Sequence, residues 1–386
     1  MKLGDVILEE EPFMVGPKAV TKPICLGCYK PVNGEYVCSK CGWPLCSKDC
    51  ESSPDHKPEC ELTVEKGVKI KIKDFENDNP QYQCLTPMRC LWLKEKDPEK
   101  YKRMLTLQSH SSRRYLSEAY NISDVNVVGY LQKVYGLEHS TEEIHQICEI
   151  WDTNCFEVKR NGSVIRGLYQ EVAIFAHNCL PSIHKSYVGD KMIVRAAKNI
   201  KKGEIMWNTY THALSDTRHR LSELMRCKCF RCYCRRCIDP TEDGTFLGAY
   251  KCLKCKAGYL IATDLLESRE CDWQCQECKH TVTQKKLDEW DEVIEKESSR
   301  LPTVGDPHEI LKAHEKFLSK YDSYLHPNNH HLMNVKETLS QMYGRLPGLT
   351  MKDLTMEQLK RKEGLCKKVF HVLDLIEPDI SRIKGK

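Results

Sequence analysis

Thiol spacing constrains this chain more than any other feature. Between residues 25 and 60 run Cys25-x2-Cys28, Cys38-x2-Cys41, Cys46-x3-Cys50 and His56-x3-Cys60, eight soft or borderline ligands in 36 residues. A C-x2-C knuckle points two thiolates at one ion, and the C-x3-C and H-x3-C pairs set both donors on one face of a helical turn. Eight such donors fill two tetrahedral zinc sites. A second cluster, Cys252-x2-Cys255 and Cys275-x2-Cys278, has two knuckles separated by 19 residues, a zinc-ribbon pattern. Tyr259, Leu260, Ile261 and Trp273 flank these knuckles and would pack around an ion in a unit too small to fold otherwise. No thioredoxin-like βαβ pattern surrounds either knuckle, which argues against a redox role. Between the two clusters, Cys227, Cys229, Cys232, Cys234 and Cys237 offer five thiols where one site takes at most four. Spacing alone does not choose among them.

Composition sharpens the metal reading. The chain has 386 residues, 23 of them cysteine, and opens on the acidic segment MKLGDVILEEEPF, where a secretory signal would need an apolar run. No stretch approaches the roughly 18 apolar residues of a membrane span. A soluble, intracellular protein of the cytoplasm or nucleus is expected, and in a reducing compartment closely spaced thiols bind metal rather than form disulfides. The net charge of +4 is too mild to imply nucleic acid as the main partner. Lys198, Lys201, Lys202, Arg218, Arg220, Arg235 and Arg236 crowd the stretch from Lys191 to Arg236, which reads either as a patch for nucleic acid or an acidic tail or, the favoured reading, as cationic neighbours that balance a thiolate zinc site or lie on a solvated face.

The apolar runs Val6-Ile7-Leu8 and Phe13-Met14-Val15 predict strands before the first cluster. Residues 61–150 carry one short alternating run, Val68 to Ile72, followed by helical spacing of Leu91, Leu93, Met104, Leu105 and Leu107. Short β-like runs then predict a β-rich core: Phe156 to Val158, Val172 to Phe175, Met192 to Arg195 and Glu204 to Trp207. Beyond Cys278 the pattern is helical, with Leu311, Phe317, Leu339, Met342, Leu365, Val369 and Leu373 as apolar positions. His326 and His330 have a spacing that suits a metal, but no second ligand pair lies near them in sequence, so a polar loop around Pro327, Asn328 and Asn329 is expected.

Taken together, these residues resemble the SET-and-MYND (SMYD) protein methyltransferases, particularly the arthropod SmydA branch, over nearly the whole chain. Cys25 to Cys60 are similar to the MYND finger, and the resemblance implies that Cys25, Cys28, Cys46 and Cys50 hold one zinc and Cys38, Cys41, His56 and Cys60 the other. Ala176-His-Asn-Cys-Leu-Pro-Ser182 looks like the family's N-H-S-C-x-P-N, whose cysteine joins a post-SET C-x-C-x2-C around a further zinc, here Cys179 with Cys232, Cys234 and Cys237. Asp239-Pro-Thr-Glu242 with Gly244, His326-Pro-Asn-Asn-His330 and Tyr343-Gly-Arg345 also match the branch. By the same resemblance Asn154, His177, Tyr210 and Phe230 contact or line the S-adenosylmethionine pocket, with Tyr210 as the catalytic tyrosine.

The fold so implied is α+β. A β-rich SET core, its N-terminal part in 1–24 and its main part in 151–214, is split by a MYND finger (25–60) and a helical insert (61–150). A post-SET zinc motif (215–245), a zinc ribbon (246–282) and an α-helical, TPR-like C-terminal domain (283–386) follow. About four zinc ions are expected, and S-adenosylmethionine for an active enzyme. The implied function is protein-lysine methylation in transcriptional regulation. The alternative is a catalytically inactive zinc-binding scaffold that uses the finger and the helical tail. A protein substrate or a proline-containing peptide at the finger is the implied partner, with no membrane and a monomeric state.

Three departures from the family pattern bear on activity. The family's Gly-rich turn lies upstream of the segment that Gly4 to Glu10 resemble, and an alternative upstream start or splice form, where the gene has one, would encode it. Ala176 and Ser182 stand where the family has asparagine. A lost hydrogen bond to a charged group is worth about 1.5–3 kcal/mol.

Overall fold

The computed structural model describes residues 1–266, 271–381 and 383–384. Its first half contains six strands: β1 (Val6–Glu10), β2 (Met14–Pro17), β3 (Cys155–Arg160), β4 (Ser163–Leu168), β5 (Ile183–Val188) and β6 (Lys191–Ala196). They form two antiparallel sheets ordered β1-β6-β5 and β2-β4-β3. Strand β2 therefore pairs across more than a hundred residues with β4, its Val15 opposite Gly167, and everything between Lys18 and Asn154 is an excursion from the sheets. Asn161 and Gly162 turn β3 into β4 with φ of 48° and 85°, the left-handed pair that a tight hairpin needs.

The excursion folds back onto the sheets. Helices Lys57–Glu65, Leu85–Lys96, Pro98–Leu105 and Thr141–Asn154 share one core with the strands, in which Trp43, Tyr82, Met88, Ile147, Trp151, Ile165 and Met192 are buried together. Pro98 opens its helix behind Asp97, whose side chain accepts from Lys100 N; Ser140 caps the helix Thr141–Asn154 through Glu143 N. That last helix runs straight into β3, so Asn154 is fixed at a helix-to-strand junction.

Three β-like runs of the sequence take other forms. Val172 to Phe175 makes a 3-10 turn over Val172–Ile174, because the Glu10 carboxylate accepts both Glu171 N and Val172 N at 3.1 and 2.9 Å and so caps it. Glu204 to Trp207 is no strand; the Trp207 carbonyl accepts from Ser182 N and Ile183 N, and only Asn208 forms a bridge, to His177. Val68 to Ile72 is unpaired by other strands and is fastened to the finger by Ile70 N donating to Cys41 O at 2.9 Å.

The second half holds β7 (Tyr250–Lys251), β8 (Tyr259–Ala262), β9 (Asp272–Cys275) and β10 (Thr281–Thr283) in a sheet ordered β10-β9-β8-β7. Helices Gln284–Ser298, Pro307–Tyr321, His330–Met342 and Met356–Ile376 follow. Asp306, Asn329 and Thr355 cap the last three, and Thr355 with Gln358 makes a full capping box. Tyr250, Leu260 and Trp273 of the sheet share a core with Phe317, Leu332, Leu339 and Leu365. The expected polar loop ends at Asn329, since His330 and His331 are buried in the first turn of the helix that Asn329 caps, and His326 stacks on Phe246 at 5.0 Å.

Candidate metal centres and the cavity beside them

Four groups of donors converge, each with its atoms within 4.8 Å of one another: Cys25, Cys28, Cys46 and Cys50; Cys38, Cys41, His56 and Cys60; Cys179, Cys232, Cys234 and Cys237; Cys252, Cys255, Cys275 and Cys278. Sulfurs around a tetrahedral zinc at 2.3 Å lie roughly 3.8 Å apart. The observed separations fit this: 3.4 Å for Cys28–Cys46, 3.8 Å for Cys38–Cys60, 3.5 Å for Cys179–Cys237, and 3.7 Å for both Cys252–Cys278 and Cys255–Cys275. The donor chemistry and spacing suit about four zinc ions.

The finger alternates its ligand pairs along the chain, so the Cys38 and Cys41 pair of one centre lies between the Cys28 and Cys46 ligands of the other. Gly27 packs on Cys50, where a Cβ would sit 2.7 Å from the Cys50 Cβ. The second centre has a built outer shell. His56 Nε2 is 3.5 Å from Cys41 Sγ, its Nδ1 is 3.1 Å from Glu59 Oε1, and Arg89 donates Nε and Nη2 to Glu59 at 2.7 and 2.8 Å. Arg89 Nη1 also donates to Val15 O at 2.8 Å and Tyr29 Oη at 2.6 Å. A carboxylate behind a histidine ligand fixes its ring and raises its basicity. Spacing singled out neither Glu59 nor Arg89.

The third centre gathers Cys179, from the loop after the 3-10 turn, with three thiols more than fifty residues later. Arg220 Nη2 lies 3.7 Å from Cys237 Sγ, and Arg220 pairs with the buried Glu242 at 3.0 Å, so this arginine sits against the thiolates rather than on a solvated face. Arg236 is likewise buried and donates to Ala213 O at 2.8 Å. Cys227 and Cys229 stay out of the centre. Cys229 is the left-handed C-cap of helix Thr217–Lys228, with φ of 56°, and the carbonyls of Cys227 and Cys229 are held by Arg114 and Arg113.

Beside this centre lies a cavity of about 200 Å³ lined by Asn154, Phe156, Tyr210, Lys228 and Phe230 among others. The Asn154 Nδ2 donates to Gln108 O and Ile150 O at 2.8 and 2.7 Å, which fixes its amide plane. Tyr210 donates its hydroxyl to Phe175 O at 2.6 Å, and burial pushes its pKa up. The Tyr210 and Phe230 rings meet edge-on with centroids 6.4 Å apart. His177 is not among the lining residues; its Nδ1 accepts from Tyr210 N at 3.0 Å, so Nε2 carries the proton and points at Cys179 Sγ, 3.2 Å away. It ties the tyrosine to the metal centre. Lys228, which sequence reasoning missed, reaches into the cavity, donates to Thr153 O and holds its Nζ 5.2 Å from the Tyr210 ring centroid. Burial lowers its pKa.

Two of the sequence departures are visible. Ser182 accepts Trp207 N at 2.8 Å and is fully buried, so serine serves the backbone there without strain. Beside Ala176, whose carbonyl accepts Asn208 N at 2.9 Å, the buried Asn208 Nδ2 has no hydrogen-bond partner. Among the described residues no helix is long and apolar enough to cross a membrane.

No family model matches the chain. It is 28% identical over 295 residues to the SET domain-containing protein SmydA-8, isoform A, of Drosophila melanogaster, an alignment covering 74% of this chain and 62% of the relative. It is 25% identical over 378 residues to the histone-lysine N-methyltransferase ASHR1 of Arabidopsis thaliana, covering 88% and 73%. The N-lysine methyltransferase SMYD2 of Gallus gallus is 25% identical over 233 residues, covering 57% and 51%. The chain thus spans about three fifths of the length of the SmydA-8 relative it matches.

Proposed function

We propose that the chain is a SMYD-type SET-domain protein of the SmydA branch and a protein-lysine methyltransferase whose cofactor, S-adenosylmethionine, binds in the cavity walled by Asn154, Tyr210 and Phe230. The observation that carries this reading is the continuous link from cavity to metal: Tyr210 to His177 to Cys179. The four donors around Cys179 fold distant segments into one wall.

The donor set suits the methyl end of such a cofactor: a fixed amide, a phenol and aromatic faces. The volume of about 200 Å³ is below the roughly 300 Å³ at which ligand pockets begin, and Lys228 takes up part of the space. Bound there, S-adenosylmethionine would supply an electrophilic methyl group. The residues of the chain do the rest. Phe156, Tyr210 and Phe230 exclude water, which favours the neutral, nucleophilic form of an incoming lysine amine. The Tyr210 hydroxyl, now directed at Phe175 O, is the group that can orient that amine. Holding two reactants in line is worth about 7–11 kcal/mol.

The substrate in this reading is a protein lysine, the finger takes a proline-containing peptide, the chain acts as a monomer, and its place is the cytoplasm or nucleus in transcriptional regulation. Calorimetric titration with S-adenosylmethionine followed by transfer of a labelled methyl to a protein substrate tests it. No binding at millimolar cofactor leaves the scaffold reading in its place.

A further inference from the structure

The histidines of the tail lacked a second ligand pair in sequence; folding supplies one. Helix Thr217–Lys228 starts at Asp216 with His219 in its first turn, and this end lies against the first turn of helix His330–Met342. Donor atoms of Asp216, His219 and His330 all fall within 4.8 Å of one another. These residues belong neither to the four cysteine centres nor to the cavity.

Two buried atoms at this spot have no hydrogen-bond partner: Asp216 Oδ2 and His330 Nδ1, on residues only 1% and 4% exposed. They face each other at 3.7 Å. That is too long for a hydrogen bond, whose N···O distance is about 2.9 Å, and close to the roughly 3.3 Å between ligands around a tetrahedral ion bound at 2.0 Å. The other oxygen, Asp216 Oδ1, holds His219, accepting its backbone N at 2.9 Å and lying 2.6 Å from its Nδ1. The His219 side chain is 39% exposed, so it opens the cluster to solvent.

The surroundings suit a cation. Arg218 Nε is 3.5 Å from Asp216 Oδ2, but its Nη atoms are paired with Asp288 and Asp291. Asp291 is also 3.2 Å from His331 Nε2. Three carboxylates therefore share one guanidinium.

We propose that Asp216, His219 and His330 form a further divalent transition-metal site, of zinc or cobalt class, distinct from the thiolate centres and with its remaining coordination position open to solvent beside His219. An ion there would tie the helix that ends in the cavity wall to the helical tail. Nitrogen and carboxylate donors make it weaker and more exchangeable than a four-thiolate site.

The test uses the full chain purified with its structural zinc and titrated with Co2+. Wild type is expected to take up one equivalent beyond the cysteine-bound ions, with a visible spectrum lacking the thiolate-to-cobalt charge-transfer band. His219→Gln, at the half-exposed position, is expected to lower affinity for that equivalent by at least about tenfold, with zinc content and melting temperature kept at four-site values. His330→Gln should do the same where it folds. Absence of the extra equivalent in wild type, or equal affinity in wild type and His219→Gln, overturns the assignment.

Discussion

Arg89 grips both carboxylate oxygens of Glu59, at 2.7 and 2.8 Å, in a site where neither side chain is more than 2% exposed. Glu59 in turn orients His56 of the finger, and Arg89 reaches Val15 of β2, so a single ion pair joins a metal centre to the sheet. Breaking one partner of such a buried pair costs about 3–5 kcal/mol, because the other charge is left without compensation. Arg89→Met is expected to destabilise by that amount in urea unfolding. Glu59→Gln, which keeps the shape, should weaken zinc at the Cys38, Cys41, His56 and Cys60 centre by about 10–100-fold in chelator competition.

Tyr210→Phe removes the hydroxyl that Phe175 O accepts but keeps the aromatic wall. Under the methyltransferase reading, single-turnover methyl transfer should fall by about a hundredfold or more while cofactor affinity changes little, since about 2.7 kcal/mol is a factor of a hundred. Equal losses in both would assign the tyrosine to binding instead.

Lys228→Ala empties the cavity of a side chain that donates to Thr153 O and approaches Tyr210. S-adenosylmethionine binding should become tighter in calorimetry. A weaker affinity would mean that Lys228 serves the cofactor rather than competing with it.

Burial lowers the pKa of Lys336 to about 8, and its ammonium is held by Pro327 O. The unfolded state, with lysine near 10.4, binds more protons between about pH 8 and 10.4, so stability rises with pH across that window. The rise should be on the order of 3 kcal/mol, read from urea midpoints, and Lys336→Met should flatten it.

Much of this molecule was legible as cysteine spacing, because knuckle pairs leave a local signature: Cys252 and Cys255, or Cys46 and Cys50, lie close in sequence and in one centre, whereas Cys179 joins its centre from more than fifty residues away. The strands β1, β2, β3 and β6 were legible as apolar runs. Strand β4 was not, since Ser163, Arg166 and Gly167 break its apolar pattern, and its pairing with β2 is a long-range event. Val172 to Phe175 misled because a carboxylate from β1 caps it into a turn, something its own residues do not announce. Arg89 and Lys228 were invisible for a related reason: each reads as an ordinary helix cation until the partner, Glu59 or Thr153, is in place. Asn329, a residue of the expected polar loop, caps the helix that begins at His330, a role that its own sequence neighbours do not announce.

The order of ligands in the finger has one more consequence. Because each centre's pairs of donors are taken alternately from the chain, neither ion encloses a segment of its own. Removing one releases the ends of a loop whose middle is pinned by the other, and the remaining ion then holds a chain with no fixed path on either side. The finger has no stable half. It should load and unload as a unit, giving one steep metallation step where two separate fingers would give two.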